Sequence, residues 1–250
     1  MTNNNMIFVA NWKMHGIFSD ISKVKIVSKL LKNKKYKKLK VVYCPPFTLL
    51  KSFSDHYKNT KISVGAQNCY YKSEFGPYTG SINAKLIKNS GAKYVILGHS
   101  ESRSDGETDK IINHKINAAL KENLSIIFCI GETSAEKKKK FTFKVLKKQL
   151  HVGLKNIKYL NNIIIAYEPV WSIGSGMVPK MEELQKNVKD IKNILKRLKF
   201  KKSLKILYGG SVNSKNVNEL DSVKNIDGFL VGGASQDAKK FIDIIKKTYN

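Results

Sequence analysis

The chain has 250 residues, 42% of them hydrophobic, with 46 Lys and Arg against 19 Asp and Glu, a formal net charge of +27. That hydrophobic share supports a packed core, and no apolar run reaches the roughly 18 residues of a membrane span. The start lacks the basic and apolar segments of a signal peptide, and Cys44, Cys69 and Cys129 have no metal-knuckle spacing, so the expectation is a cytoplasmic protein with reduced thiols.

Short β-type runs recur along the chain, with strands expected at Met6–Ala10, Lys40–Cys44, Lys61–Gly65, Tyr94–Leu97, Ser125–Ile130, Ile163–Tyr167, Lys205–Tyr208 and Gly228–Val231. Runs such as "IIIAY" and "SIIFCI" are apolar without alternation, as in strands buried on both faces. Each gap is long enough for the crossover helix that parallel strands require. One such helix is expected at Glu182–Leu198, where Leu184, Val188, Ile191, Leu195 and Leu198 form a stripe and lysines fill the opposite face. Eight strand–helix units in this length fit an α/β barrel of eight parallel strands ringed by helices. Periodicity alone also permits a doubly wound sheet. No linker or break in composition divides the chain, so residues 1–250 are expected to form one domain.

The charge could mark a nucleic-acid or membrane-surface binder. Its distribution argues otherwise. The cations are nearly all lysines, spread over segments such as "KNKKYKKLK", "EKKKKFTFKVLKK" and "KNILKRLKFKK", each with apolar residues at helical spacing. Solvated helix faces account for that pattern, and a base-stacking platform of interleaved aromatics and arginines is missing. A cationic field that attracts small anions remains.

The residues that follow each strand carry the chemistry. "NWK" follows the first, "AQN" the third, "GHSESR" the fourth, "GET" the fifth and Glu168 the sixth, and "GGSVN" and "GGAS" follow the last two. In a parallel barrel all of them fall on the C-terminal rim, where barrel active sites lie. The glycines of the last two segments let backbone N–H groups approach a phosphate, although each pair alone is also a tight turn. Glu168 precedes Pro169, which cannot continue a ladder. In a partly desolvated pocket that carboxylate makes a general base, and a structural ion pair with a rim lysine is an equal account of it taken alone. Lys13 and His99 are candidates for polarising a carbonyl oxygen, and His99 also sits where a helix N-terminus would disfavour imidazolium. Glu101 is either a second carboxylate of the site or an ion-pair partner for Lys13. His15, His56, His114 and His151 are read as surface or packing residues, and Cys129 as a packed thiol near the rim. Base, electrophile, cation and phosphate cradle together point to proton abstraction beside the carbonyl of a small phosphorylated substrate. No dinucleotide fingerprint or metal-ligand cluster appears, so cofactor-free chemistry is expected.

Taken in order, "NWKM", "GAQN", "TG", "GHSE", "CIGE", "AYEPVWSIGSG", "YGGSV" and "GFLVGGAS" resemble the triosephosphate isomerase family essentially from end to end. The resemblance implies a TIM barrel that interconverts dihydroxyacetone phosphate and D-glyceraldehyde 3-phosphate. It implies Glu168 as base, neutral His99 as electrophile, Lys13 as the cation beside the substrate oxygen, Asn11 as an orienting group and Glu101 as support for Lys13. Phosphate would be held by N–H groups of Gly174, Ser211, Gly232 and Gly233, under a lid spanning Pro169–Pro179. A homodimer through the loop Cys69–Ser81 is implied as well, with Thr79 at its tip near the partner's active site.

Some positions depart from the family pattern. Ser102 stands in place of the first arginine of "GHSERR", and Ser81 in place of an acidic residue. These two positions pair across the family's interface, so the expected dimer lacks that ion pair. The lid carries Ser172 and Ser175 where alanine and threonine are common, and Met177–Pro179 replaces a lysine-led hinge. His15 replaces a frequent asparagine. Among rivals, a Schiff-base aldolase would need a strand-end lysine for that role, and a cationic scaffold protein would bind heparin or DNA in a salt-sensitive way.

Overall fold

A computed structural model describes residues 5–157, 161–198 and 203–249. Eight parallel strands close into a barrel in chain order. They are β1 (Ile7–Asn11), β2 (Lys40–Cys44), β3 (Ile62–Ala66), β4 (Tyr94–Leu97), β5 (Ser125–Ile130), β6 (Ile163–Tyr167), β7 (Lys205–Tyr208) and β8 (Gly228–Val231). The doubly wound alternative is thereby excluded. Six strands have the bounds expected from sequence, while β1 and β3 each lie one residue later. The reason is register: Asn11 still pairs with Cys44 and Ala66 with Val95, so the ladder reaches one residue into each motif.

The period of two along a strand divides the core. Ile7, Val9, Val42, Cys44, Ile96, Ile127, Cys129, Ala166, Leu207 and Leu230 fill the barrel interior, while alternate residues such as Phe8, Tyr43, Phe128 and Tyr167 pack outward against the helices. The inward parity reaches Asn11 at the end of β1 and, continued past β6, β7 and β8, Glu168, Gly209 and Gly232. Alternation thus delivers these residues to the mouth of the barrel. Outward parity takes Trp12 into an aromatic cluster with Tyr43 and Phe53, and its indole Nε1 donates to the Ser235 carbonyl at 3.2 Å. That bond joins the end of β1 to the turn after β8.

The expected helix at Glu182–Leu198 is observed as Met181–Arg197, with Leu198 as its C-cap. Leu184, Val188, Ile191 and Leu195 are buried as expected, and so are Ile194 and Asn187. Asn187 is tolerated inside because its Nδ2 donates to the Tyr167 hydroxyl at 2.9 Å. The end of "KNILKRLKFKK", residues 199–202, lies outside the described residues. Among the described residues no helix is long and apolar enough to cross a membrane, and no cluster of three or more His, Cys, Asp or Glu could hold a metal ion.

Candidate active site

Beyond the C-terminal ends of the strands lies a cavity of about 180 Å³, lined by Asn11, Lys13, His99, Glu168, Gly174, Ser211, Gly232 and Gly233 among others. Every candidate residue named from sequence lines it except Glu101. Glu101 stands behind the site instead, its Oε1 accepting from Lys13 Nζ at 2.7 Å, so of its two readings the ion-pair partner is the one observed. Burial raises the Glu101 pKa, but the Lys13 bond and the charges of His99 and Lys13 outweigh it and leave the carboxyl below its ordinary value.

Lys13 reaches the cavity by an unusual backbone. Its φ is 53°, in the left-handed region that costs a non-glycine residue energy. Two contacts hold it there: Lys13 N donates to Asn11 Oδ1 at 3.0 Å, and Gln67 Nε2 donates to the Lys13 carbonyl at 2.8 Å. Asn11 and the "AQN" glutamine therefore fix the direction of the ammonium group. Gln67 received no role from sequence.

His99 caps the short helix Ser100–Ser104. Its Nδ1 accepts from Glu101 N at 3.3 Å, and the Glu101 carboxylate is also near that nitrogen at 3.5 Å. The two contacts favour opposite protonation states. Lys13 takes the carboxylate's charge at the shorter distance, and the amide points at Nδ1, which leaves Nε2 as the ring nitrogen beside Glu168. Below it, Arg103 pins the turn by donating from Nε to the Gly98 carbonyl at 2.8 Å and from Nη1 to Asp109 Oδ1 at 2.6 Å. His15, His56, His114 and His151 are all exposed.

Glu168 is 2% exposed. Its Oε2 accepts from Ser100 N at 3.3 Å, whereas Oε1 is buried with no hydrogen-bond partner. His99 Nε2 lies 3.4 Å from that free oxygen. The pairing with a rim lysine that sequence left open is not formed: Lys13 is bound to Glu101. A buried, unpaired carboxylate oxygen is costly, and such costs concentrate where a group is put to use. The Cys129 thiol is close by and fully buried; burial first, then the Glu168 charge, push its pKa well up, so it is a packed thiol.

The glycines after β7 and β8 have distinct reasons. A Cβ on Gly209 would sit 2.8 Å from Glu168 Cγ, so this glycine makes room for the carboxylate. Gly233 has no heavy atom within 4 Å of its absent Cβ and faces open cavity, as a backbone donor to a ligand should. Sequence read the pairs Gly209–Gly210 and Gly232–Gly233 as an anion site or tight turns, and for Gly209 the close approach of Glu168 is a reason neither reading contained.

The chain matches known proteins over nearly its whole length. The family model described as triosephosphate isomerase matches residues 6–248. The chain belongs to the triosephosphate isomerase family. It is 38% identical to the triosephosphate isomerase of Alkaliphilus oremlandii, covering 96% of this chain and 98% of that protein. With the Clostridium tetani enzyme it shares 40% identity, covering 96% and 95%. The crystal structure of the Bartonella henselae enzyme superposes with a TM-score of 0.89 at 33% identity, covering 98% of this chain and all of that one.

Within this family fold the lid of the present chain has its own anchors. Glu132, of the "GET" segment, is fully buried and accepts from Trp171 Nε1 at 2.9 Å and from the Tyr167 hydroxyl at 3.1 Å. Burial raises its pKa, opposed by the Trp171 bond first. Lys137 lies 3.5 Å above the Trp171 ring. Ser175 Oγ donates to the lid carbonyls of Trp171 and Ser172. Sequence singled out "GET" as chemically competent but gave Glu132 no role; a second carboxylate at a buried strand end was the available signal.

Proposed function

We propose that the chain interconverts dihydroxyacetone phosphate and D-glyceraldehyde 3-phosphate, as a cytoplasmic step of glycolysis and gluconeogenesis. Glu168 removes a proton from the carbon beside the substrate carbonyl, and His99 Nε2–H polarises the carbonyl oxygen. The resulting enediolate carries negative charge that Lys13 offsets, and Glu168 returns the proton to the neighbouring carbon to give the isomer. Asn11 orients Lys13 and substrate, with Glu101 as the counter-ion of Lys13. N–H groups of Gly174, Ser211, Gly232 and Gly233 hold the phosphate, while the lid Pro169–Pro179 keeps water from the intermediate. All of this is chemistry of the chain's own side chains and backbone.

The observation that carries the reading is the unpartnered Glu168 Oε1, 3.4 Å from His99 Nε2 in one cavity with Lys13. The test is reaction of glyceraldehyde 3-phosphate in D₂O followed by NMR. The expected result is dihydroxyacetone phosphate labelled with deuterium on the carbon that gains the proton. No isomer would refute it; the unlabelled fraction of the isomer measures how often Glu168 returns the same proton before it exchanges with solvent.

A homodimer through Cys69–Ser81 belongs to the same proposal. The loop is rich in aromatics, with the Tyr70 ring packed at a tilt against those of Tyr71 and Tyr78, and Phe75 and Thr79 exposed. Its base is fixed by Asn68, whose Nδ2 donates to Glu107 at 2.8 Å and to Ser102 at 3.3 Å, and by the Lys115–Glu107 ion pair. Met14, Ile17 and Phe18, just after β1, are also solvent-facing. Apolar groups of this size are what an interface covers. An active monomer in sedimentation at micromolar concentration would contradict the dimer.

A further inference from the structure

The hydroxyl of Ser172 sits at a junction of the lid and the phosphate cradle. Ser172 is fully buried. Its Oγ donates to the Met177 carbonyl at 2.6 Å, lies 3.0 Å from the Tyr208 hydroxyl, and accepts from Ser211 N at 3.2 Å. The proton count fixes the directions. A serine hydroxyl has one proton and two lone pairs. With its proton on Met177, it must accept from both Tyr208 and Ser211. Tyr208 can supply a proton, because burial first of all pushes its pKa up to about 12. The absent side chain of Gly210 makes room, since a Cβ there would lie 2.3 Å from the Tyr208 hydroxyl and 2.6 Å from Ser172 Oγ.

We propose that Ser172 is a positioning residue whose hydroxyl occupies the Ser211 N–H until phosphate takes it. The inference rests on the reading of Ser211 as a phosphate donor. With ligand absent, Ser172 Oγ satisfies an N–H that would otherwise be a partly buried donor with no protein acceptor. On binding, a phosphate oxygen exchanges for the hydroxyl, so occupation of the cradle and loss of the Ser172–Ser211 contact are one event. The same oxygen ties the first turn of the lid to its far end at Met177, so the segment between them, with Gly174, moves as a unit.

The test is the Ser172→Ala variant, with inorganic phosphate as the titrant. Deleting the competitor frees the Ser211 N–H, and the expected result is phosphate binding about fivefold tighter, the scale of one neutral hydrogen bond. KM for triose phosphate falls in step and kcat moves less, because the freed donor serves substrate and transition state alike. A hydroxyl that merely braced the lid would give the opposite split, with lower kcat and higher KM. Ser172→Cys fills the same space with a weak acceptor and should fall between parent and alanine variant; it carries the test if the alanine variant does not fold. Phosphate affinity unchanged or weakened in both variants overturns the inference. The isomerase reading fails separately, through a parent that does not turn over triose phosphate.

Discussion

Gly209→Ala places a methyl group against the proposed base, and its effect can be worked from distances. The new Cβ would lie 2.8 Å from Glu168 Cγ and 3.4 Å from its Oε1, against about 3.5–4.0 Å for an unstrained carbon–carbon contact. Leu230 Cβ, 3.5 Å away on another side, limits how far the methyl can retreat. The backbone is no obstacle, since Gly209 is not among the residues with positive φ. Relief must therefore come from Glu168, displaced by about 1 Å, and a misplacement of that size costs about 10²-fold in rate. Gly232 and Gly233 are not among the groups the new methyl meets, so KM should change much less than kcat. Steady-state kinetics read the split, and a thermal melt checks that the fold survives. A folded variant with kcat within about threefold of the parent would refute the claim that this glycine exists to seat the carboxylate.

Other predictions follow from the charges and the core. The Glu101 carboxyl has a folded pKa below its ordinary 4.5, so its pairing with Lys13 stabilises the protein above that value and is lost as pH falls through the lower, folded one. Denaturant melts of parent and Glu101→Gln should therefore differ at neutral pH and converge in acid; a gap that widens on acidification would contradict the pairing. Cys44, Cys69 and Cys129 are buried and free, with Cys69 pushed up to about 12 by burial first. A thiol reagent at mildly alkaline pH should label none in the native protein and all three in denaturant, and rapid native labelling would contradict the packing. The +27 charge should speed capture of an anionic substrate. kcat/KM should thus fall as salt rises from about 0.01 to about 0.15 M, where the screening length shrinks from about 30 to about 8 Å. A flat profile would remove any steering role from the lysines.

The strands and the rim were legible in the sequence because both rest on local pattern. Unbroken apolar runs marked the barrel strands, and the polar residues just past two of them, Asn11 and Glu168, fell on the mouth by parity alone. What stayed hidden depends on loops that meet only in the folded chain. Ser172 and Ser211 are 39 residues apart, as are Glu132 and Trp171, and neither pair has a period that would announce it. Gly209 read as an anion-binding glycine because sequence cannot show that the crowding atom belongs to Glu168. The left-handed backbone of Lys13 was equally invisible, since nothing in "NWK" says that Gln67 will hold its carbonyl. Glu101 shows the intermediate case: its residue type allowed two roles, and only its distance to Lys13 separated them.

The most direct test of the central claim is steady-state isomerisation of glyceraldehyde 3-phosphate by the parent and by Glu168→Gln. The amide has nearly the same shape and cannot accept the proton. The account predicts a folded variant whose kcat drops by about 10³-fold or more, the upper range of what a positioned base contributes. A folded variant that turns over at the parent's rate would show that the proton leaves by another route.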